Sequence, residues 1–381
     1  MFALGAFLLD CRFPMRLEEL DYHLPREQIA QRPLERREAS RLLFFNRSSG
    51  LFEDRFFTEF PSLLRGDELL IFNNARVIPA RLFGRRAGVH SQPPSRARKA
   101  EHLTGRVEIF LTRELDSQTW EALVHPGRKM QVGERVLFGQ GELEAEVLSR
   151  GQLGLRTLRF TSHDQSNLSQ HFERLGHVPL PPYIERADEF SDRERYQTVF
   201  AKRPGAIAAP TAGLHFSNEM LERVRARGAE ICELTLHVGL GTFQPIRSET
   251  LEGHVMHSES YEIPKETADR IQSARDAGRP IVAIGTTVVR ALEDAGLRAV
   301  TSGSSSLVLA GKADARLFIV PGFRFRVVEG LLTNFHLPRS TLLALVCAFA
   351  GREQILAAYE HAVKAGYRFY SYGDCMLIRS R

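Results

Sequence analysis

Short runs in which apolar and polar residues alternate dominate the chain between residues 72 and 160. The runs RVEIFL, WEALV, RVLFG, LEAEVL and LGLRTLRF, together with Gly127–Lys129, are separated by turns that contain glycine, and an apolar run at 69–72, LLIF, precedes them. Alternation with a period of two predicts strands with one buried face. Short strands at regular spacing, without a helical period, predict a small β-barrel in this part of the chain.

The pattern changes after residue 168. Residues 218–227 and 265–277 have the spacing of amphipathic helices, whereas 281–284 and 317–320 are short apolar runs typical of buried strands. Helices that alternate with such strands predict α/β layering. The second half of the chain is therefore expected to form an α/β domain, distinct from the barrel.

Length and composition favour a soluble protein of two domains. With 381 residues, of which 43% are hydrophobic, the chain can bury a large core. No apolar run approaches the ~20 residues that span a bilayer, and the run at 342–350 predicts a buried helix, so no membrane contact is expected. Residues 1–14 precede Met15 and lack the features of a signal peptide, which predicts an N-terminal extension. The four cysteines have no CxxC spacing, which argues against a disulfide framework or a zinc ribbon and favours the cytoplasm.

Positive charge is concentrated in one segment. The formal net charge is +5, and eight basic residues but only one acid, Glu101, lie between Arg76 and Arg106. Such a cluster predicts contact with a polyanion such as nucleic acid. The alternative is a solvated loop, since residues 88–95, GVHSQPPS, have the composition of a linker.

The segment 204–216, PGAIAAPTAGLHF, is almost devoid of charge and ends in a histidine. Its prolines and glycines argue against a regular helix or strand, because proline removes a backbone donor and glycine permits unusual backbone angles. The segment predicts a shaped loop that presents His215. Burial in the core is the alternative.

More histidines follow within a short distance. LHVGLGTF at 236–243 carries His237, and GHVMHSE carries His254, His257 and Glu259. Each histidine taken alone is more often a surface or core residue than a ligand. A metal-dependent hydrolase that uses His254, His257 and Glu259 remains an alternative, since zinc prefers nitrogen and carboxylate ligands.

Two further motifs carry polar residues in apolar surroundings. IVAIGTTVVRALE predicts a strand that turns at Gly285 into a helix whose first amides could bind an anion or a sugar hydroxyl, although Thr286 as a simple cap is the alternative. TNFHLPRST and YRFYSYGD are typical of pocket walls, or of packing tyrosines. The chain has neither GxGxxG nor GxxxxGK[ST], which argues against a Rossmann cofactor and a P-loop nucleotide.

These motifs, in this order, resemble the S-adenosylmethionine:tRNA ribosyltransferase-isomerases of the queuosine pathway. The resemblance covers about residues 15–378 and includes VIPARLFG, WEALVHPGRKM and LGHVPLPPYIER. It implies an α/β main domain formed by 15–71 and 161–381, with the small β-barrel inserted at 72–160. The chain departs from the family pattern NDTRVIPAR, because it reads NNARVIPAR with Asn74 and Ala75, which argues against an essential carboxylate there. Its 88–104 segment is longer than the usual connection.

The resemblance implies that the ribosyl part of S-adenosylmethionine is transferred to 7-aminomethyl-7-deazaguanine at the wobble position of a tRNA anticodon. The products are epoxyqueuosine-tRNA, adenine and methionine. S-adenosylmethionine is then a consumed substrate, with no true cofactor and no metal, and a cytoplasmic monomer without a stable protein partner is expected. A non-catalytic RNA-binding module is a further alternative.

This reaction implies roles for the candidate residues. The sulfonium acidifies the C5′ hydrogens, so a neutral histidine, His215 or His237, is the expected base. An acid that protonates adenine, or a ligand of the ribose, is expected among His257, Glu259 and Asp374, and Arg290 or Arg339 is expected to bind the methionyl carboxylate. The expected substrate-binding residues are Pro210, Thr211, Gly213, Gly239, Gly241, Thr242, Thr286, Thr287, Arg290, Asn334 and His336. The expected tRNA-binding residues are Arg76, Arg81, Arg85, Arg86, Arg128 and Lys129.

Overall fold

The computed structural model describes residues 15–88, 105–239 and 250–380, except 252, 254, 255 and 257. Its strands are β1 (Arg41–Asn46), β2 (Phe52–Phe56), β3 (Leu69–Asn73), β4 (Ala75–Val77), β5 (Arg81–Arg86), β6 (Arg106–Glu114), β7 (Thr119–His125), β8 (Arg135–Phe138), β9 (Leu143–Arg150), β10 (Leu155–Ser162), β11 (Arg203–Ala206), β12 (Glu230–Leu236), β13 (Glu259–Ile263), β14 (Ile281–Ile284), β15 (Gly311–Ala315), β16 (Gly330–Asn334) and β17 (Cys375–Arg379). Its helices are α1 (Leu168–Leu175), α2 (Asp192–Arg195), α3 (Asn218–Ala226), α4 (Lys265–Asp276), α5 (Thr286–Thr301), α6 (Thr341–Ala350) and α7 (Arg352–Lys364).

A nine-stranded mixed sheet with the order β15-β13-β12-β3-β14-β16-β17-β1-β2 organises the α/β domain. The neighbours β12, β3, β14 and β16 run parallel. Every residue of β3 is buried, and its side chains divide between two cores: Leu69 and Ile71 pack in one, Leu70 and Phe72 in the other. A sheet covered on both faces requires such continuous apolar strands. The predicted α/β class is confirmed.

The predicted barrel is also confirmed. Six strands close in the order β10-β7-β6-β5-β8-β9. In β6, the apolar residues Val107, Ile109 and Leu111 are buried in the barrel core, and the residues between them are more exposed, as a closed sheet requires. A Cβ atom on Gly84 would lie 2.4 Å from the Cγ1 atom of Val136, so only glycine fits at that point of the interior.

The barrel strands begin and end later than the 72–160 segment. Phe72 and Asn73 belong to β3 of the large sheet, and β4 pairs with β11 in a separate two-stranded sheet. The barrel therefore runs from Arg81 to Ser162. The apolar character of 69–72 reflects burial between two helical layers rather than entry into the barrel.

Two predicted strands are wrong. Gly127–Lys129 forms a 3-10 turn between β7 and β8. Residues 317–320 lie in irregular chain between β15 and β16. Ile319 is nevertheless 1% exposed and its neighbours pack on the core, so the run is apolar because it is buried, without a strand partner. The predicted elements at 218–227, 265–277, 281–284 and 342–350 are confirmed as α3, α4, β14 and α6.

No single helix among the described residues is long and apolar enough to cross a membrane. Helices α6 and α7 reach the required length and hydropathy only together, and the chain bends by 116° between them.

Candidate functional site

A pocket opens where parallel strands of the large sheet end. Strand β14 runs into Gly285 and α5, strand β16 ends at Asn334, and Val238 follows β12. The carboxyl ends of parallel strands meet at one edge of a sheet, where ligands of α/β proteins usually bind. The pocket has a volume of about 770 Å³, which includes the open space at its mouth. Its lining includes Tyr183, Ala208, Ala209, Pro210, Thr211, Ala212, Val238, Gly285, Thr286, Thr287, Thr333, Asn334, Phe335, His336, Leu337, Ser340, Leu342, Tyr370 and Ser371.

His215 lies behind this pocket rather than in its lining. The predicted loop forms a short 3-10 turn at Thr211–His215, and the imidazole is 4% exposed. Its Nδ1 atom is 2.7 Å from the Oγ atom of Ser40, and its Nε2 atom is 3.2 Å from the Nδ2 atom of Asn334. Burial lowers the pKa of His215 to about 4. The ring is therefore neutral at physiological pH and held on both sides.

Asn334 connects His215 to the pocket. Its Nδ2 atom donates to the carbonyl oxygen of Tyr370 at 3.0 Å, in addition to its contact with His215. These acceptors fix the orientation of the amide, because only the NH₂ group can donate. The Oδ1 atom is buried and has no partner among the described residues.

Two further polar atoms in the pocket lining share this property. The Oγ1 atom of Thr287 and the hydroxyl of Tyr370 are buried without a hydrogen-bond partner in the part of the chain that the structure describes. Buried polar groups are almost always paired, so three unpaired ones around a single pocket give it the acceptor and hydroxyl groups to bind a polar ligand. Burial raises the pKa of Tyr370, which keeps its hydroxyl protonated and able to donate.

Tyr183 and Tyr370 form an aromatic wall. Their ring centroids are 4.2 Å apart with an interplanar angle of 31°, and the hydroxyl of Tyr183 is 2.6 Å from the Oγ atom of Ser371. Tyr370 has a φ of 71°, which is strained for a bulky residue. Strain of this kind persists where the surroundings impose it and is common at binding sites.

The start of α5 forms another part of the wall. Gly285 has a φ of 103°, an angle that favours glycine, and this turn directs the first residues of the helix to the pocket. Thr286 and Thr287 are both buried. The first amides of a helix lack partners within the helix and carry partial positive charge, so they suit an anionic or hydroxyl group.

His237 follows β12, next to Val238 in the chain, and is not part of the pocket lining. The ring is half-buried, its Nδ1 atom has no partner among the described residues, and burial lowers its pKa. The ring packs on Gly205, where a Cβ atom would lie 3.0 Å from its Cε1 and Nδ1 atoms. Among the described part of the chain, His237 and His215 are therefore both neutral histidines, but only His237 has an unpartnered ring nitrogen.

Glu259 and Arg290 pair with each other. They form a buried ion pair, and Glu259 also accepts a hydrogen bond from the backbone amide of Gly239 at 3.2 Å. Arg290 donates to the carbonyl oxygen of Leu317 at 3.3 Å. The prediction gave these residues separate roles toward substrate, whereas the structure joins them beneath the chain that follows β12. Sequence spacing alone could not reveal a partner 31 residues away.

Several other candidates have structural partners. Asp374 accepts from the backbone amides of Arg41 and Arg368, both at 2.8 Å, and does not line the pocket. His336 lines the pocket, and its Nε2 atom is 2.7 Å from the Oγ1 atom of Thr333. Burial lowers the pKa of His336 to about 3.

Gly213 and Arg339 are predicted to contact a substrate, but neither residue lines the pocket. A Cβ atom on Gly213 would lie 2.6 Å from the ring of Phe200, so close packing requires the glycine. Arg339 is half-exposed and forms an ion pair with Asp21. The other predicted binding residues Pro210, Thr211, Thr286, Thr287 and Asn334 line the pocket.

Some candidates lie outside the described residues: Gly241, Thr242, His254 and His257. Within the described part of the chain, no group of three or more histidine, cysteine or acidic residues could hold a metal ion. Glu259, the remaining member of the proposed metal cluster, is ion-paired with Arg290. Neither observation supports the hypothesis of a metal-dependent hydrolase.

The arginines predicted to contact tRNA fall into two groups. Arg76, Arg81 and Arg86 form ion pairs with Glu173, Glu108 and Glu134 at 3.0, 3.1 and 3.9 Å. Arg85, Arg128 and Lys129 are exposed on the barrel and form no ion pair with other described residues. The exposed group retains the character expected of a nucleic-acid surface.

Asn74 shows how the departure at NNAR fits the fold. Its Oδ1 atom accepts from the hydroxyl of Thr235 at 2.7 Å, and its Nδ2 atom donates to Glu233 at 3.0 Å. An amide can both donate and accept, so it satisfies both neighbours without a carboxylate at this position.

The residues of the candidate site that sequence reasoning did not single out are Ser40, Tyr183 and Ser371. Ser40 contacts His215 from 175 positions away, and Tyr183 contacts Ser371 from 188 positions away. No spacing rule connects residues at such distances.

Known proteins resemble this chain over nearly its whole length. The family model described as queuosine biosynthesis protein matches residues 17–378. The S-adenosylmethionine:tRNA ribosyltransferase-isomerase of Solibacter usitatus is 52% identical over 96% of this chain and 100% of its own length, and that of Moorella thermoacetica is 47% identical over the same shares. The crystal structure of S-adenosylmethionine tRNA ribosyltransferase from Thermotoga maritima is 35% identical, covers 94% of this chain and 99% of its own, and has a TM-score of 0.50.

Proposed function

The chain belongs to the queuosine biosynthesis family, as one of its S-adenosylmethionine:tRNA ribosyltransferase-isomerases, and from this premise we propose how its pocket serves the reaction. The enzyme transfers and rearranges the ribosyl part of S-adenosylmethionine on a tRNA that carries 7-aminomethyl-7-deazaguanine, and it releases adenine and methionine. The pocket at the ends of β14 and β16 holds the reacting nucleoside. The three unpaired buried polar atoms in its lining carry this proposal.

The pocket supplies the contacts that a nucleoside needs. The paired rings of Tyr183 and Tyr370 offer an apolar aromatic surface to a heterocyclic base. The Oδ1 atom of Asn334 accepts from an amino or ring N–H group, and the hydroxyls of Thr287 and Tyr370 donate to a ring nitrogen or a ribose oxygen. The positive end of α5 favours the ribose hydroxyls near Thr286.

His237 is the proposed general base. The reaction requires removal of a proton from C5′, next to the sulfonium, and a neutral imidazole with a free ring nitrogen can accept it. Burial lowers the pKa of His237, which keeps it neutral, and its Nδ1 atom has no partner among the described residues. His237 is adjacent in the chain to Val238, which lines the pocket, but is not itself part of the lining.

His215 is proposed to position rather than to react. Both of its ring nitrogens have partners, and Asn334 lies between it and the pocket. His215 therefore acts through Asn334, whose amide it helps to orient.

Exchange of deuterium from C5′ of S-adenosylmethionine tests these assignments. With tRNA present, His237→Gln should abolish both exchange and adenine release, while His215→Gln should retain both at a reduced rate. Asn334→Ala should weaken binding of a substrate by roughly 10-fold, the effect of one hydrogen bond. Normal exchange and turnover in His237→Gln would exclude His237 as the base.

We also propose that the enzyme works as a cytoplasmic monomer and takes S-adenosylmethionine as a substrate without a further cofactor. Cys232, Cys347 and Cys375 are unpaired thiols, and the last two are buried, which suits a reducing compartment. Sedimentation of the purified protein tests the monomer.

A further inference from the structure

A second, smaller pocket lies on the far side of His215 from the first. His215 lines this second pocket, Asn334 lines the first, and Ser371 borders both. Three arginines surround it: Arg36, Arg37 and Arg195. We call this group the arginine pocket.

Two of these guanidinium groups have no carboxylate partner. Arg37 donates to the carbonyl oxygens of Leu214 at 3.3 Å and Glu194 at 2.9 Å. Arg195 donates to those of Glu35 at 2.6 Å and Leu34 at 2.7 Å. Neither forms an ion pair with any residue in the described part of the chain. Carbonyl oxygens orient the two side chains but leave their charge uncompensated.

Electrostatics and unused donors around the arginine pocket point to an anion. Burial and the nearby charge of Arg195 lower the pKa of Arg37. The Nε atom of Arg195 and the Nη1 atom of Arg368 are buried without an acceptor among the described residues. The charges of Arg37 and Arg368 both lower the pKa of His215, so both guanidinium groups lie near this histidine.

The acidic residues Glu38 and Glu194 act electrostatically on Arg37 but do not form an ion pair with it or with Arg195 among the described residues. Glu38 pairs with Arg36 at 2.9 Å, and Arg36 itself is 71% exposed. Glu35 and Glu194 are exposed and form no ion pair with other residues that the structure describes. Arg37 and Arg195 are thus the positive charges that an external anion would meet.

We propose that the arginine pocket binds a phosphodiester group of the acceptor RNA, next to the nucleoside that enters the first pocket. Guanidinium groups match the geometry of a phosphate and bind it through two parallel hydrogen bonds. The proposal rests on the proposed function, because that reaction brings an RNA strand to this edge of the sheet. The other anion in the reaction is the methionyl carboxylate of S-adenosylmethionine. His215 and Asn334 stand between the two pockets, and this barrier favours the RNA.

The salt dependence of tRNA binding tests the proposal. Affinity is measured by fluorescence anisotropy at several salt concentrations for Arg37→Gln, Arg195→Gln and the control Arg225→Gln, which removes an exposed charge on α3. In each pocket variant the slope of log K against log salt should fall by about 1, whereas the control should keep the slope of the parent protein. Slopes equal to that of Arg225→Gln would overturn the proposal.

Two further variants distinguish a loss of tRNA binding from a loss of folding. Arg37→Lys keeps the charge and should retain most of the salt slope. Arg36→Glu reverses an exposed charge and should weaken tRNA binding several-fold with an unchanged thermal midpoint. Full tRNA affinity in Arg36→Glu would count against the proposal.

Binding of S-adenosylmethionine distinguishes the two anions. If Arg37→Gln and Arg195→Gln weaken S-adenosylmethionine binding and leave tRNA binding intact, the pocket serves the methionyl carboxylate and the proposal is wrong. The proposed function fails in a different way, namely if Asn334→Ala and Thr287→Val bind both substrates and release adenine normally.

Discussion

The Nδ2 atom of Asn334 lies 3.2 Å from the Nε2 atom of His215, and the two residues are 119 positions apart in the chain. Because Nδ2 is a donor, the Nε2 atom of the ring accepts, and its Nδ1–H then donates to the Oγ atom of Ser40 at 2.7 Å. This contact fixes one tautomer of the histidine. It also leaves the Oδ1 atom of Asn334 as a free acceptor at the pocket.

Replacement of His215 should therefore impair catalysis through position. His215→Ala removes the acceptor for Asn334 and should lower kcat/KM by about 100-fold, the cost of a misplaced group. His215→Gln can restore a hydrogen bond and should lose about 10-fold or less. Neither variant should shift the pKa values in the pH profile of kcat, measured by adenine release.

A catalytic role would give a different pattern. If His215→Gln is as inactive as His215→Ala and the ascending limb of the pH profile disappears, the histidine exchanges a proton with substrate and the positioning role is wrong.

His215 should also make the protein sensitive to mild acid. Its folded pKa is about 4, below the unfolded value of 6.5, so the unfolded chain binds the proton first. The contribution of the neutral His215 to the free energy of unfolding is fully present above pH 6.5 and is lost as the pH falls toward 4. Between pH 7 and 5 this histidine alone should reduce the free energy of unfolding by about 2 kcal/mol.

Urea unfolding at both pH values measures this loss. His215→Gln should unfold more easily than the parent protein at pH 7, but its stability should fall by about 2 kcal/mol less on going to pH 5. An equal pH dependence in both proteins would contradict the assignment.

The fold was more predictable than the site because strands and helices leave local periodic patterns. The alternation in β6 and the continuous apolar residues of β14 reflect one buried face and two buried faces, and both follow from neighbours in sequence. The run at 317–320 has the same apolar character but no strand partner, and composition cannot distinguish these cases.

The site depends on contacts between distant segments. Glycine and histidine motifs located its walls at Thr287 and Asn334. The pairing of Arg290 with Glu259 and the aromatic contact of Tyr183 with Tyr370 arise only when the sheet brings separate loops together. Motifs therefore indicate which residues surround a pocket, but tertiary contacts decide which of their atoms remain available to a ligand.

Tyr370→Phe should have opposite effects on stability and on binding. The substitution keeps the ring that packs on Tyr183 and removes a buried hydroxyl without a partner among the described residues, so the thermal midpoint should stay constant or rise. Affinity for the substrate that contacts this hydroxyl should fall roughly 10-fold.

Calorimetric titration with S-adenosylmethionine, and anisotropy with tRNA, identify that substrate. Tyr370→Ala, which also removes the ring, should be weaker still in both stability and binding. Unchanged affinity for both substrates in Tyr370→Phe would show that the hydroxyl does not contact either of them.

Gly205→Ala tests whether the placement of His237 matters for catalysis. Gly205 has a φ of 130°, and a Cβ atom there would lie 3.0 Å from the Cε1 and Nδ1 atoms of His237. The substitution should therefore destabilise the protein by about 1–3 kcal/mol through backbone strain and should also displace the imidazole.

Gly311→Ala is the matched control, because Gly311 has a φ of 101° and nothing within 4 Å of the added carbon. Both variants should have lower thermal midpoints, but only Gly205→Ala should lose adenine release beyond its loss of folded protein, by about 100-fold if the ring moves by 1 Å. Equal activity per folded molecule in the two variants would mean that the reaction tolerates displacement of His237. Another group would then have to remove the proton from C5′.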